Sequence, residues 1–136
     1  MPAPLFVDTS AWVALVHARD QRHDRARRTW SALTRARREV VTTSFILAEC
    51  HGLLARRLGV EAGVVFLDAF ATARDRRIVW VDEDVTNAAV DRWLRRYRDR
   101  ILSLTDAVSF EVMQREGLQD AFAFDEDFER VGFTVV

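Results

Sequence analysis

Short apolar runs alternate with longer segments of helical periodicity along the chain. The apolar and β-branched runs predict strands at Leu5–Val7, Glu39–Thr42, Ile78–Val81, Ala121–Phe124 and Phe133–Val136. The periodic segments predict helices from Thr9 to about His17, Asp24 to about Arg37, Ser44 to Leu58, Glu61 to Ala73, Thr86 to about Tyr97, and Ser103 or Thr105 to just before Gly117. Strands that alternate with helices predict an α/β fold with a parallel sheet covered on both faces.

Four acidic residues lie inside or beside apolar runs. Asp8 follows the first predicted strand, Asp125 ends the fourth, Asp106 opens an apolar helix, and Glu49 lies within Phe45–Cys50. A carboxylate in such a position is costly unless a cation or a hydrogen-bond donor receives it. Because strand ends and the starts of the following helices share one edge of a parallel sheet, the four carboxylates can converge there.

Each of these acids also has a structural interpretation when it is taken alone. Asp8, with Thr9 and Ser10, suits a helix cap, and Asp106 suits the first turn of a helix, where it meets the positive end of the macrodipole. Asp125 fits a polar turn. Glu49 shares a helix face with two apolar residues, Phe45 and Leu53, so we expect that face to point toward the core.

Taken together, the four acids favour a metal site. Two carboxylates about 4 Å apart repel each other by roughly 4 kcal/mol at an effective dielectric near 20. A divalent cation relieves that repulsion, and an all-oxygen ligand set suits Mg²⁺ or Mn²⁺. The three histidines, His17, His23 and His51, lack the spacing of zinc ligands.

The length and composition fit one domain, which we expect to span residues 1–136. The chain has 136 residues, 49% of them hydrophobic, which suffices for a core. No apolar run approaches the roughly 20 residues that span a bilayer, and the start lacks the pattern of a signal peptide. The single Cys50 is expected to be a buried, inert thiol. These features favour a cytoplasmic protein without a membrane segment.

The charges are segregated along a chain whose net charge is only −1. Residues 17–38 carry a net charge of +6 and residues 92–100 a net charge of +4, whereas residues 116–129 hold six acids and no base. Basic surfaces beside an acidic pocket favour a metal-dependent enzyme that acts on a polyanion, although solvated arginine-rich helix faces would give the same pattern. Lysine is absent, which excludes a Walker-type phosphate loop and Schiff-base chemistry.

The acidic motifs resemble those of a known family, the PIN-domain ribonucleases, and specifically its VapC toxins. Val7–Trp12 resembles the first motif, and Glu49 within Ser44–Glu49 matches the internal helical glutamate. Ser103–Ala107 resembles the third acidic motif and Phe124–Phe128 the fourth. The order and spacing of these short motifs cover nearly the whole chain.

This resemblance implies a three-layer α/β/α sandwich with a mostly parallel sheet of four to five strands. It also implies an Mg²⁺- or Mn²⁺-dependent endoribonuclease that forms a homodimer and is neutralised by a VapB-type antitoxin. Asp8, Glu49, Asp106 and Asp125 would be both the catalytic and the metal-binding residues. The family often has Ser or Thr two residues before the fourth acid, where this chain has Ala123, so the choice between Asp125 and Asp127 stays open.

The first helices carry apolar residues that suit a bound partner. Trp12, Val16 and Trp30 predict either core positions or a groove in which the C-terminal segment of an antitoxin lies, with an Arg or Lys near Asp8 and Asp106. Two other classes of function compete with a nuclease toxin. A phosphatase or receiver-like domain usually pairs its acids with a functional lysine, which is absent here. A catalytically inactive PIN-like module that binds RNA or a partner is the second alternative.

Overall fold

The computed structural model describes residues 2–136 and contains five strands, all parallel. The strands are β1 (Leu5–Val7), β2 (Val40–Thr43), β3 (Arg76–Val79), β4 (Asp120–Phe122) and β5 (Thr134–Val135). Their order in the sheet is β3-β2-β1-β4-β5, so β1 lies in the centre. Leu5, Phe6 and Val7 are fully buried because a central parallel strand is covered on both faces.

Seven α-helices connect and cover these strands. They are α1 (Thr9–Val16), α2 (His23–Arg35), α3 (Ser44–Leu58), α4 (Val60–Thr72), α5 (Glu83–Ala89), α6 (Leu104–Glu116) and α7 (Asp127–Arg130), and a π-helical turn at Val90–Leu94 continues α5. Right-handed crossovers place α1–α4 on one face of the sheet and α5–α7 on the other. The predicted α/β/α sandwich with a parallel sheet is therefore confirmed.

Each helical layer packs on the sheet through its own aromatic cluster. In the first layer Trp12 packs edge-on against Phe70, with ring centroids 4.8 Å apart. In the second layer Phe110 packs edge-on against Phe128 at 4.9 Å. Trp12 is only 2% exposed, so the prediction that it is a core residue is confirmed, although its ring also lines a cleft between the first helices.

Two predicted strands have wrong boundaries, and one helix was not predicted. The third strand is Arg76–Val79 rather than Ile78–Val81, and Trp80 lies beyond it with 72% of its surface exposed. The fourth strand starts at Asp120 and ends at Phe122, before Phe124. In both strands a run of apolar residues continues past the point where strand pairing ends. The short helix α7 was not predicted.

Residues at two strand ends cap the helices that follow. The Asp8 side chain accepts the Ser10 backbone N–H at the start of α1, which agrees with the interpretation of Asp8 as a helix cap. Thr43 accepts the Ile46 N–H at the start of α3, whereas the Ser44 hydroxyl accepts the Val81 N–H. Where several adjacent residues can cap a helix, the backbone geometry at the end of the strand determines which of them forms the cap.

Candidate active site

The end of the central strand brings two segments together. Phe6 pairs with Ala121 and Val7 pairs with Phe122 in the parallel β1–β4 ladder. The Asp8 backbone N–H then donates to the Phe122 carbonyl oxygen at 3.0 Å. Because parallel strands end at the same edge of the sheet, the residues that follow β4 lie beside Asp8.

Asp8 is buried, with 4% of its surface exposed. Its Oδ2 accepts the Ser10 hydroxyl at 2.8 Å and the Ser10 N–H at 3.3 Å. The same Ser10 hydroxyl oxygen accepts the Phe124 N–H at 2.9 Å. Ser10 therefore fixes one oxygen of Asp8 and ties it to the backbone next to Asp125. Within residues 2–136, the Oδ1 of Asp8 accepts no hydrogen bond.

Burial, opposed by the hydrogen bonds from Ser10 and aided by the negative charge of Asp106, raises the pKa of Asp8 to about 7. A raised pKa means that the charged carboxylate is disfavoured in this position. The residues around Asp8 thus provide hydrogen-bond donors for one oxygen but no cationic partner. A bound cation would favour the ionised form.

Asp106 lies in the first turn of α6 and forms a capping box with Ser103. Its Oδ2 accepts the Ser103 N–H at 3.1 Å, and the Ser103 hydroxyl accepts the Asp106 N–H at 3.0 Å. Burial is the main cause that raises the pKa of Asp106, and the charges of Asp125 and Glu49 add to it. The capping box orients the carboxylate toward three other acidic groups.

Asp125 and Asp127 both lie close to Asp106. One carboxylate oxygen from each of the three residues lies within 4.8 Å of the other two. The Asp125 Oδ1 accepts the Asp127 N–H at 2.8 Å. Asp127 Oδ1 also lies 3.5 Å from Nη1 of Arg100 and 3.9 Å from Nη1 of Arg130. Asp127 therefore has cationic partners, whereas Asp125 lines a cleft that it shares with Asp8 and Asp106.

Glu49 is exposed, so the expectation that its helix face points toward the core was wrong. Its neighbours on that face, Phe45 and Leu53, are half-buried. Glu49 and Leu53 line the same cleft as Asp8. Residues at four-residue spacing here share a helix face that borders the cleft, and a face at the edge of a cleft contains polar as well as apolar residues.

All four predicted acidic residues line one cleft of about 380 Å³. Its polar lining consists of the carboxylates of Asp8, Asp20, Glu49, Asp106 and Asp125, the hydroxyls of Thr9, Ser10 and Ser103, and the guanidinium groups of Arg22 and Arg57. The convergence of acids that are far apart in sequence is therefore present in the fold. No histidine of the described chain is among the lining residues.

This donor set fits a hard divalent cation. Asp8, Asp106 and Asp125 each use one oxygen in a local hydrogen bond, and within the described residues the other oxygen accepts none. Local donors thus fix each carboxylate in place while leaving an oxygen for a ligand. Carboxylate oxygens are the ligands that Mg²⁺ and Mn²⁺ prefer.

Sequence reasoning missed three polar residues of the cleft: Asp20, Arg22 and Arg57. Asp20 and Arg22 lie in the connection between α1 and α2, which carries no motif. Arg57 follows Glu49 by eight residues on α3, so the helical spacing could have predicted that both side chains lie on the same helix face. Ser10 was considered as a helix cap, and its hydrogen bond with the Phe124 backbone N–H was not predicted.

The family model of the PIN domain matches residues 5–134. This chain belongs to the PIN-domain family. The PIN domain described here is 40% identical over 132 residues to the 23S rRNA-specific endonuclease VapC20 of Mycobacterium tuberculosis, and the alignment covers 97% of each protein. The crystal structure of M. tuberculosis VapC20, described as a toxin that cleaves the sarcin-ricin loop, matches with a TM-score of 0.85 at 39% identity over 96% of each chain.

More distant PIN-domain structures share the fold. VapBC2 from Rickettsia felis, bound to a DNA fragment from the promoter, matches with a TM-score of 0.72 at 14% identity over 99% of this chain and 98% of that one. The resemblance seen in the acidic motifs is thus confirmed at the level of the family. Among the described residues of this PIN domain, no helix combines the length and apolar character needed to cross a bilayer.

Proposed function

We propose that residues 1–136 act as one metal-dependent endoribonuclease domain. The observation that carries this proposal is the convergence of Asp8, Glu49, Asp106 and Asp125 in one cleft, where the three aspartates each keep an oxygen free of hydrogen bonds. Membership of the PIN-domain family and the 40% identity to a 23S rRNA-specific endonuclease support the same activity.

In the proposed reaction, Asp8, Glu49 and Asp106 hold Mg²⁺ or Mn²⁺ directly or through water, and Asp125 completes the site. The bound cation would supply Lewis-acid activation of water and neutralise charge on the phosphate. Hydrolysis joins the water oxygen to phosphorus and breaks one P–O bond of the phosphodiester, and the departing oxygen takes up a proton. Ser10 and Ser103 keep Asp8 and Asp106 oriented during this step.

RNA is the proposed substrate, and 23S ribosomal RNA is the first target to test because VapC20 is named for it. The activity would belong to the cytoplasm, where ribosomes are found. Purified protein should cleave ribosomal RNA in Mg²⁺ or Mn²⁺ and not in EDTA. A protein that binds RNA but never cleaves it, in either metal, would support the alternative of an inactive binding module.

We also propose that the chain is the toxin of a toxin–antitoxin pair, with a VapB-type antitoxin. A second cleft, of about 600 Å³, lies between the first four helices and suits an apolar peptide segment. It contains the exposed apolar residues Val16, Leu58 and Val65, the half-buried Trp30 and the buried Trp12 at its floor. The antitoxin segment would continue from this cleft to the acidic one and place an Arg or Lys near Asp8 and Asp106.

Co-expression with the product of the adjacent reading frame tests the partner. A stable complex that suppresses RNA cleavage is the expected result, and size-exclusion chromatography of the protein alone tests the proposed homodimer. If expression of the chain alone leaves growth unchanged and no complex forms, the toxin assignment fails while the nuclease assignment stands.

A further inference from the structure

Three arginines surround the acidic cleft in a way that suits RNA phosphates. Arg22 and Arg57 line the cleft itself. Arg25 joins Arg22 on the ring of Phe124, the residue before Asp125. The cleft is strongly acidic, so a polyanionic strand that crosses it meets repulsion unless cations lie beside the metal site.

Arg22 and Arg25 form a pair of like charges on one aromatic ring. Their guanidinium carbons lie 5.3 Å and 5.5 Å from the centroid of Phe124. Both side chains are exposed, and neither forms an ion pair with a carboxylate of residues 2–136, although Asp20 and Asp125 line the same cleft. Both guanidinium groups therefore lie beside the residue that precedes Asp125 without a carboxylate partner among the described residues, and each is available to bind a phosphate.

Arg57 lines the same cleft from the last turn of α3. Glu49, Leu53 and Arg57 follow one another at four-residue spacing on α3, and all three line the cleft. Arg57 is exposed and makes no hydrogen bond or ion pair with any described residue. Eight residues of helix place it about 12 Å along the axis from Glu49, within reach of a phosphate next to the one being cleaved.

The acidic centre lies at the middle of the sheet edge. Asp8 follows β1, which lies between β2 and β4 in the sheet. Glu49 lies on the helix after β2 and Asp125 follows β4, and the three arginines line or border the cleft that these acids share.

We propose that Arg57, and Arg22 with Arg25, are positioning residues that bind backbone phosphates next to the scissile phosphodiester. This inference rests on the proposed ribonuclease function and deepens it. The three arginines contact the substrate at sites away from the reacting atoms, so they contribute to substrate binding and alignment rather than to the bond-breaking step.

The test compares Arg57→Gln, and the double variant Arg22→Gln with Arg25→Gln, with matched controls. Arg56→Gln is the control for the first, since Arg56 is exposed on the same helix but does not line the cleft, and Arg28→Gln is the control for α2. The RNA is a short single-stranded oligonucleotide that contains the mapped cleavage site. Cleavage is measured in Mn²⁺, and binding is measured by anisotropy with each change added to the Asp106→Asn background.

Each test variant should raise KM about 5- to 10-fold with kcat within about twofold, and the slope of log K against log salt should fall by roughly 0.7 per arginine lost. The controls should match the parent protein. If KM and the salt slope of the test variants equal those of the controls, the phosphate sites do not exist. If these variants instead weaken only an antitoxin complex, the arginines bind an acidic peptide and the inference is overturned.

The same measurements separate this inference from the proposed function. A parent protein that cleaves RNA with no effect of the arginine changes overturns the phosphate sites alone. A parent protein that never cleaves RNA, but whose RNA binding depends on these arginines, overturns the nuclease function and leaves the phosphate sites in place. Absence of both cleavage and RNA binding overturns both.

Discussion

Two carboxylates are buried in different regions of this protein, Asp8 at the edge of the sheet and Glu111 in the middle of α6. Glu111 is 0% exposed, and each of its oxygens has a partner. Its Oε2 accepts Arg115 Nε at 2.7 Å and lies 3.4 Å from Arg92 Nη1, and its Oε1 accepts Trp93 Nε1 at 3.1 Å. Asp8 is 4% exposed, and a single residue, Ser10, donates to its side chain.

The difference separates a structural ion pair from a ligand site. A buried charge that is paired and hydrogen-bonded within the fold serves packing and specificity, as at Glu111. A buried carboxylate whose nearest charged neighbour is another acid has a raised pKa, and such groups cluster at functional sites. We propose that a bound cation, which the chain does not itself provide, completes the Asp8 region.

The largest expected effect is on catalysis at the acidic cleft. Asp106→Asn keeps the shape of the side chain and removes one negative charge from the proposed metal site. We expect RNA cleavage to fall by roughly 100-fold or more, since a proposed metal ligand is lost, while the protein stays folded. Initial rates on ribosomal RNA, with circular dichroism as the folding control, measure this. Near-normal cleavage would remove Asp106 from the mechanism.

Without metal, the free energy of unfolding should depend on pH because the charged form of Asp8 is unfavourable in its buried position. Its folded-state pKa of about 7 lies above the unfolded value of 3.8, so the folded state holds a proton that the unfolded state has lost between these values. The stability contributed by protonated Asp8 is fully present below pH 3.8 and is lost as the pH rises through about 7.

In EDTA, we expect Asp8→Asn to become more stable relative to the parent as the pH rises from 4 to 8. The relative gain should be on the order of 3 kcal/mol in the free energy of unfolding. Urea unfolding of both proteins across this pH range measures it. Parallel pH curves for the two proteins would show that Asp8 is not perturbed.

Metal binding should stabilise the folded state through the same cleft. A ligand that binds only the folded protein adds about 2.7 kcal/mol at one hundred times its dissociation constant. Mn²⁺ or Mg²⁺ should therefore raise the Tm, and Glu49→Gln should reduce the rise. Glu61→Gln is the matched control, since Glu61 is exposed on α4 and does not line the cleft. Equal shifts in all three proteins would place the metal elsewhere.

The smallest expected effect is at the paired carboxylate. Glu111→Gln keeps an acceptor for Trp93 but loses the ionic contacts with Arg92 and Arg115. We expect the free energy of unfolding to fall by about 2 kcal/mol, because charged hydrogen bonds to a buried group are lost. RNA cleavage should stay normal below the new Tm. Loss of cleavage in a folded Glu111→Gln protein would contradict the separation between the two regions.

The strand–helix alternation could be predicted because the central strands contain short apolar or β-branched runs and the longer helices have a periodic apolar face. The prediction of converging acids rested on a general property of parallel sheets, and Asp8 and Asp125 follow adjacent strands as expected. Glu111 shows the limit of this reasoning. Glu111 lies between Phe110 and Val112 in an apolar helix segment, just as Glu49 lies within an apolar segment of α3. Glu49 was identified from the sequence as a candidate site residue, but Glu111 was not.

The sequence does not distinguish these two glutamates because their partners come from other elements. Trp93 reaches Glu111 from the π-helical turn after α5, and that turn was predicted as ordinary helix. Arg22 and Arg25 could be recognised as basic residues, but their approach to Phe124 depends on how α2 packs beside the end of β4. Such relations appear only when the chain is folded.

The Ser10 hydroxyl has a consequence for how this chain can vary. The Ser10 hydroxyl donates to Asp8 and accepts from the Phe124 backbone N–H. The positions of Asp8, Ser10 and Phe124 are therefore coupled. A change that removes the hydroxyl removes the hydrogen bonds that hold both the Asp8 carboxylate and the segment before Asp125. Threonine is the natural replacement, because it keeps both the proton and the lone pair. A lineage of related chains should therefore exchange Ser and Thr at this position and accept little else.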